Sequence, residues 1–249
     1  MKNLKIVFIL FALWSCDSED APDCFQNAGD IIQESYTLDA FDKITVFQRT
    51  QLIISEGSFS VVLETGENLL NDIDIKVSDN RLIIENNNAC NITRDYGITK
   101  VFVSAPNITE IRNSSGLKVV SGNQLTYANL TLLSEDFEEE DAFHTDGDFE
   151  LDLDVENLTI TQNNLSNFFL TGNVTNLDLN FTFGDARFEG RNLIVQNADV
   201  YHRGTNDIII NPQVSLTGSL LSTGDMIVVN TPPIFDVEEL YTGKVIIED

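Results

Sequence analysis

The sequence predicts an all-β protein in which an N-terminal β-rich domain, residues 36–107, merges into a right-handed parallel β-solenoid, residues 108–249. Three observations predict it. Short runs of Val, Ile, Leu and Phe alternate with polar residues at period two, the pattern of strands with one buried and one wet face. Clusters of Gly, Asn, Asp and Ser punctuate those runs, and the chain holds 25 Asn against 5 Pro. Past the leader, no stretch of helical length keeps a helical period, which removes the helices that join parallel strands in α/β folds.

Residues 1–15 read as a signal peptide. Lys2 and Lys5 precede an apolar run over residues 6–14, about half the ~20 residues that a membrane-crossing helix needs. Leu13-Trp14-Ser15-Cys16 resembles the bacterial lipobox, which implies cleavage before Cys16 and a thioether from its sulfur to diacylglycerol. Two or three acyl chains, at about 0.8 kcal/mol per buried methylene, hold a protein to a bilayer without its body touching the lipid. The alternative is a cleaved secretory signal with an incidental Cys. Residues 16–35 form an acylated, acidic tether. Its Asp17, Glu19 and Asp20 resemble the export signal that sends Bacteroidota lipoproteins to the outer face of the outer membrane, and the plain alternative is a solvated linker. Cleavage would also remove Trp14, the single Trp of the chain. The mature protein is therefore expected to lack indole fluorescence, and indole emission from the purified lipoprotein would contradict processing.

Cys24 and Cys90 remain after cleavage. In an oxidising envelope compartment an even pair points to a disulfide, and neither Cys has the short Cys or His spacing of a zinc site. The bridge would close a loop of about 66 residues and contribute roughly 4 kcal/mol by chain entropy. Two separate buried thiols are the alternative.

In the N-terminal domain the strands run through Ile44-Thr45-Val46, Leu52-Ile53-Ile54, Val61-Val62-Leu63, Ile73-Asp74-Ile75, Leu82-Ile83-Ile84 and Val101-Phe102-Val103. Only the segment from Gly66 to Asn71 has room for a helical turn. Beyond Asn107 a phrase recurs: Asn129-Leu130, Asn157-Leu158, Asn176-Leu177 and Asn192-Leu193, each followed after one residue by another aliphatic. Intervals near twenty residues with Asn corners suit coils whose strands stack about 4.8 Å apart around a shared core. Corner Asn can occupy the left-handed region and form ladders between coils. A β-sandwich with uneven strands is the rival reading.

Cys24-Phe25-Gln26-Asn27-Ala28-Gly29, Phe41-Asp42-Lys43-Ile44, Gly66-Glu67-Asn68-Leu69, Leu82-Ile83-Ile84-Glu85-Asn86, Cys90-Asn91 and Val101 through Ile108 together resemble the head GIN domain family, also labelled auto-transporter adhesin. The resemblance covers residues 24–249. Asn113-Ser114-Ser115-Gly116 is similar to the family's Gly-Ser-Gly turn, and the segments around Gly218 and Gly243 are similar to its closing coils. Ser134-Glu135-Asp136 and Gln162-Asn163-Asn164 depart from that turn, which leaves the coil register in the middle open. The resemblance implies an envelope protein of adhesin type and fixes no ligand.

With 14 basic against 40 acidic residues, a formal charge of −26 repels phosphate backbones, so no nucleic-acid partner is expected. Membrane contact is expected through the N-terminal lipid only. Residues 135–156 hold the densest acids, and Glu150, Asp152, Asp154 and Glu156 would all leave one face of a strand. Same-face positions lie about 6.6 Å apart, whereas calcium oxygens sit about 2.3–2.6 Å from the metal, so four such carboxylates cannot share one ion. A solvated acidic face is the simplest reading, and a calcium-dependent structural solenoid is an alternative. A polysaccharide-active β-helix enzyme is a weaker one, because residues 130–249 supply only Arg187, Arg191, Arg203 and Lys244 as cations. His144 and His202 read as isolated surface residues, and Phe168, Phe169, Phe181 and Phe183 as stacked core rather than a binding stripe. No cofactor, metal or catalytic residue is expected. The sequence reading is a non-enzymatic, surface-exposed outer membrane lipoprotein that displays a binding face to a glycan or protein ligand.

Overall fold

The computed structural model describes residues 26–88, 95–137 and 142–248. The protein is all-β, with 59% strand and 3% helix. The N-terminal part contains β1 (Ile31–Tyr36), β2 (Lys43–Phe47), β3 (Gln51–Glu56), β4 (Ser60–Gly66), a 3-10 turn (Glu67–Asp72), β5 (Ile73–Ser78), β6 (Arg81–Asn86) and β7 (Lys100–Ala105). Then follow β8 (Glu110–Ser114), β9 (Val119–Ser121), β10 (Asn129–Ser134), β11 (Phe149–Gln162), β12 (Phe168–Phe181), β13 (Phe188–His202), β14 (Ile208–Leu220), β15 (Met226–Val228), β16 (Ile234–Glu239) and β17 (Val245–Ile247). The helical turn expected after Gly66 is the 3-10 segment.

All seventeen strands belong to one nearly closed, barrel-like sheet. Two rows of parallel strands build it. In one row β6, β2, β8 and β10 lead to the second halves of β11 to β14 and end at β16. In the other, β7, β3 and β9 lead to the first halves of β11 to β14 and end at β15 and β17. The long strands cross from one row to the other without breaking. Alternate side chains of both rows point into one apolar cluster, which runs from Phe41 and Ile44 to Met226 and Val228 without a break near residue 107. Phe149 and Phe168 stack inside it, 4.8 Å between centroids and 8° between planes.

The two ends differ. At the first, β5 folds back antiparallel on β6, β4 on β7 and β1 on β4, and the 3-10 turn buries Leu69 over the core. Gln26 is tied to this end through a hydrogen bond from its Nε2 to the Asn68 carbonyl at 2.7 Å. At the other, β16 pairs only with β14 and β17 only with β15. The described residues thus begin beside a capped end and finish at an open one.

The Asn phrase forms a ladder, with one correction. Asn129, Asn157 and Asn176 are register partners, and Asn176 Nδ2 donates to Asn157 Oδ1 as Asn157 Nδ2 donates to Asn129 Oδ1, both at 2.9 Å. The fourth rung is Asn197, whose Nδ2 donates to Asn176 Oδ1 at 3.1 Å, and Asn192 lies outside the ladder. Asn192 precedes Leu193, which stands opposite Gly172, four residues before Asn176. β12 advances from Phe169 to Gly172 while β13 advances from Glu189 to Leu193, one residue more, and this bulge brings Asn197 rather than Gln196 opposite Asn176. Nor do the ladder asparagines use the left-handed region. Among the described non-glycine residues positive φ occurs at Arg49, Asp79 and Asn80, so the rungs hold by side-chain bonding between extended residues.

The turns that close the first of these rows obey one rule. Asn86, Asn113, Gln162 and His202 turn inward at its end, and each accepts a hydrogen bond from the backbone N–H two residues on. Ser134, Gln162, Phe181, His202 and Leu220 share one column, which fixes the register left open around Ser134 and Gln162. His202 is 0% exposed, contrary to the surface position expected of it. A polar neighbourhood in sequence does not distinguish a solvated corner from a side chain that turns in to bond the corner's own backbone.

Candidate functional site

The residues singled out from sequence at the N-terminus, Cys16, Asp17, Glu19, Asp20 and Cys24, and their proposed disulfide mate Cys90 lie outside the described residues. Of the acidic segment 135–156, residues 138–141 also lie outside the described residues, and its strand can be placed. Glu150, Asp154 and Glu156 are exposed on the outer side of β11, and Asp152 is half-buried there. Lys118 Nζ pairs with Glu150 at 3.0 Å, and Gln124 Nε2 donates to Asp152 Oδ1 at 3.3 Å. The carboxylates splay along the strand, and among the described residues no three His, Cys, Asp or Glu side chains are arranged to hold a metal ion. The melting temperature is accordingly expected to be the same in millimolar calcium and in chelator. A rise with calcium would reinstate a metal-stabilised structure.

His144 is exposed. His202 is enclosed: burial pushes its pKa below the ordinary value, outweighing its hydrogen bond to Asn206 and the carboxylates of Asp207 and Asp225. Its Nδ1 accepts from the Gly204 N–H and its Nε2 donates to the Asn206 carbonyl at 2.9 Å, the pattern of a neutral imidazole serving a turn.

That turn and the one after β12 carry the feature with the best claim to bind something. A concavity of about 690 Å³ is lined by Phe137, Asn163, Asn180, Thr182, Phe183, Tyr201 and Arg203. Three of these are aromatics left in solvent, Phe137 at 59%, Phe183 at 62% and Tyr201 at 38% exposure. Asn180 and Tyr201 are register partners on the outer faces of β12 and β13, so they form adjacent rungs of its floor. Phe183 projects from the turn between β12 and β13 and is held there from both sides. Gln162 Nε2 donates to the Phe183 carbonyl at 3.1 Å, and Thr182 Oγ1 donates to the Gln162 carbonyl at 2.9 Å. Gly184 follows at φ 91°, where a Cβ would lie 2.0 Å from the Asn164 carbonyl oxygen. Phe137 is anchored through its N–H to Glu135 Oε2 at 2.8 Å. Glu135 is itself nearly buried and clamped by Arg112, which donates to its carboxylate at 2.5 Å and its carbonyl at 2.6 Å. Arg203 is exposed and takes part in no ion pair among the described residues.

Of the four phenylalanines expected in the core, Phe168 and Phe181 are buried, Phe169 is half-buried and Phe183 is exposed. Phe181 ends β12 pointing inward, and the chain then turns, so period two no longer governs Phe183. Phe137, Tyr201 and Arg203 carried no such signal, because they meet only through the pairing of neighbouring strands.

The fold and the site define a class: a β-strand stack that presents a shallow mixed aromatic and polar surface, with no assembled acid–base pair in its lining. The family model described as "Putative auto-transporter adhesin, head GIN domain" matches residues 40–232, and the chain belongs to that family. Solved structures share the fold. A "putative adhesin" from Bacteroides fragilis is 18% identical with a TM-score of 0.78, over 89% of this chain and 99% of its own. A "putative lipid binding protein" from Parabacteroides distasonis is 12% identical with a TM-score of 0.63, over 89% and 98%. A "putative adhesin" from Parabacteroides merdae is 14% identical with a TM-score of 0.57, over 89% and 97%. No curated protein matches the sequence.

Proposed function

We propose that this chain is a lipid-anchored, surface-exposed display module of adhesin type, non-enzymatic, built as a right-handed parallel β-solenoid. The observation that carries the solenoid reading is the register: β11 to β14 each pair in parallel with the next through both of their halves, so successive coils overlie one another. Membership of an adhesin-labelled family supports a surface role. Polarity supports display. A tether ahead of Gln26 would meet the capped end, where Gln26 is fastened and β1 pairs with β4, and the open end at β16 and β17 would then face away from the membrane. A non-enzymatic role is consistent with a concavity whose lining offers one guanidinium and no carboxylate. A glycan or a protein is the ligand such a face would take, and a nucleic acid is opposed by the −26 charge.

Two measurements on cells test the anchoring and the orientation. Metabolic labelling with palmitate should mark the wild-type chain and leave a Cys16→Ser variant unmarked, and protease added to intact cells should degrade the labelled protein. An unlabelled wild type would refute the lipid anchor. Labelled protein that resists protease until the outer membrane is permeabilised would refute surface exposure.

A further inference from the structure

We infer that the concavity at Phe183 and Tyr201 binds a neutral glycan chain, stacking pyranose faces on its aromatic rings and bonding hydroxyls through Asn180 and Arg203. The inference rests on the display reading above and names the ligand class of its site. Three exposed aromatics converge on one hollow. A ring left in water favours a partner with an apolar face, and a sugar ring offers polarised C–H groups on its face and hydroxyls on its edge. The rest of the lining suits those hydroxyls: Asn180 Nδ2 donates one proton to Asp178 Oδ1 at 2.8 Å, which leaves its second proton and its Oδ1 for a ligand, and the Arg203 guanidinium forms no ion pair among the described residues.

Charge decides which glycan. Asp178 and Asp199, register partners one outward position before Asn180 and Tyr201, run beside the hollow and are exposed. A polyuronate or sulfated chain would lie along those carboxylates on a body of charge −26, and the one guanidinium does not offset them. A neutral chain meets no such penalty. Pre-organisation adds to the case. The bonds from Gln162 and Thr182 together with the Gly184 turn hold Phe183 before any ligand arrives, so little ordering is left to oppose binding. The openness of the hollow suits a polymer that lies across successive coils.

Native affinity electrophoresis tests this with the full mature chain, in gels cast with dextran, yeast mannan or mixed-linkage β-glucan, and with polygalacturonate as the anionic comparison. The expected result is retardation in at least one neutral gel and none in polygalacturonate. Phe183→Ala and Tyr201→Ala should each weaken that retardation about tenfold with the melting temperature unchanged. Tyr241→Ala, which removes an exposed aromatic from the last turn, should leave it as it was. Absence of retardation in all three neutral gels would overturn the inference, as would retardation that both hollow variants leave intact or retardation confined to polygalacturonate. A parallel assay separates this inference from the display reading. If cells carrying the lipoprotein adhere to protein-coated surfaces while no neutral gel retards it, the glycan assignment fails and the adhesin reading stands.

Discussion

Gly172→Ala is expected to destabilise the fold by at least about 3 kcal/mol and to lower its melting temperature by about 6–12 °C. Gly172 lies within β12 beside the bulge that shifts β13, at φ 102°, and an added Cβ would stand 1.9 Å from the Leu153 carbonyl oxygen and 3.0 Å from an Asp152 carboxylate oxygen. The first contact is with backbone of the neighbouring strand, so the chain cannot give way without moving β11. Gly97 separates the two contributions. It too has positive φ, 73°, but none of the described residues lies within 4 Å of its Cβ position, so Gly97→Ala should cost about 1 kcal/mol from backbone strain alone. Equal losses in the two variants, read by thermal and urea melts, would show that the coils at Gly172 are not packed as closely as this register requires.

The second large effect is at His202. His202→Ala should cost about 2–4 kcal/mol at neutral pH, because it empties a fully buried site and leaves the Asn206 carbonyl and the Gly204 N–H without partners. His202→Gln should retain most of that stability. Gln162, two rungs away in the same column, already serves its turn with an accepting oxygen and a donating nitrogen. The two side chains differ in titration. Burial lowers the His202 pKa in the fold, so between that value and 6.5 the unfolded chain holds a proton the folded chain lacks. Stability from this group is complete above pH 6.5 and drains away as pH falls towards the folded value. The carboxylates with lowered pKa, Glu64, Glu239 and Glu248, act below their ordinary value of 4.5 and leave the window between clear. Melting temperature measured from pH 7.5 to 5 should decline in the wild type and decline less in His202→Gln. Parallel declines would remove His202 as the acid-sensitive group.

Much of this architecture was legible in the sequence because its causes are local. Alternation at Leu151, Leu153 and Val155 announces a strand, and Asn129, Asn157 and Asn176 announce that strands recur in one register. The absence of any helical period rightly excluded βαβ connections. What was hidden depends on position in the stack. The phrase at Asn192 falls beside Gly172 and not Asn176, and the one-residue bulge in β13 brings Asn197 instead of Gln196 to the fourth rung; that bulge leaves no trace in apolar period because Leu193 and Val195 remain buried. The order of the first coils was equally hidden. β2 and β3 lie between β6 and β7 on one side and β8 and β9 on the other, an insertion that only long-range pairing reveals. The hollow assembles Phe137 and Phe183 from two separate turns and Tyr201 from the outer face of β13, and none of them is unusual beside its sequence neighbours.

The central claim is that the rows are stacks in which each rung adds one strand spacing along a common axis. Pulsed electron paramagnetic resonance between pairs of nitroxide labels tests it directly. Lys43, Glu110, Thr131, Thr159, Asp178, Asp199, Thr217 and Asp236 form one column of register partners. At about 4.8 Å per rung, labels at Thr131 and Asp236 should lie about 24 Å apart, and labels at Lys43 and Asp236 about 34 Å apart. Distances that grow in this proportion would sustain the stacked-coil account. A Lys43 to Asp236 distance equal to or shorter than that from Thr131 would mean that the chain folds back on itself, and the account would be wrong.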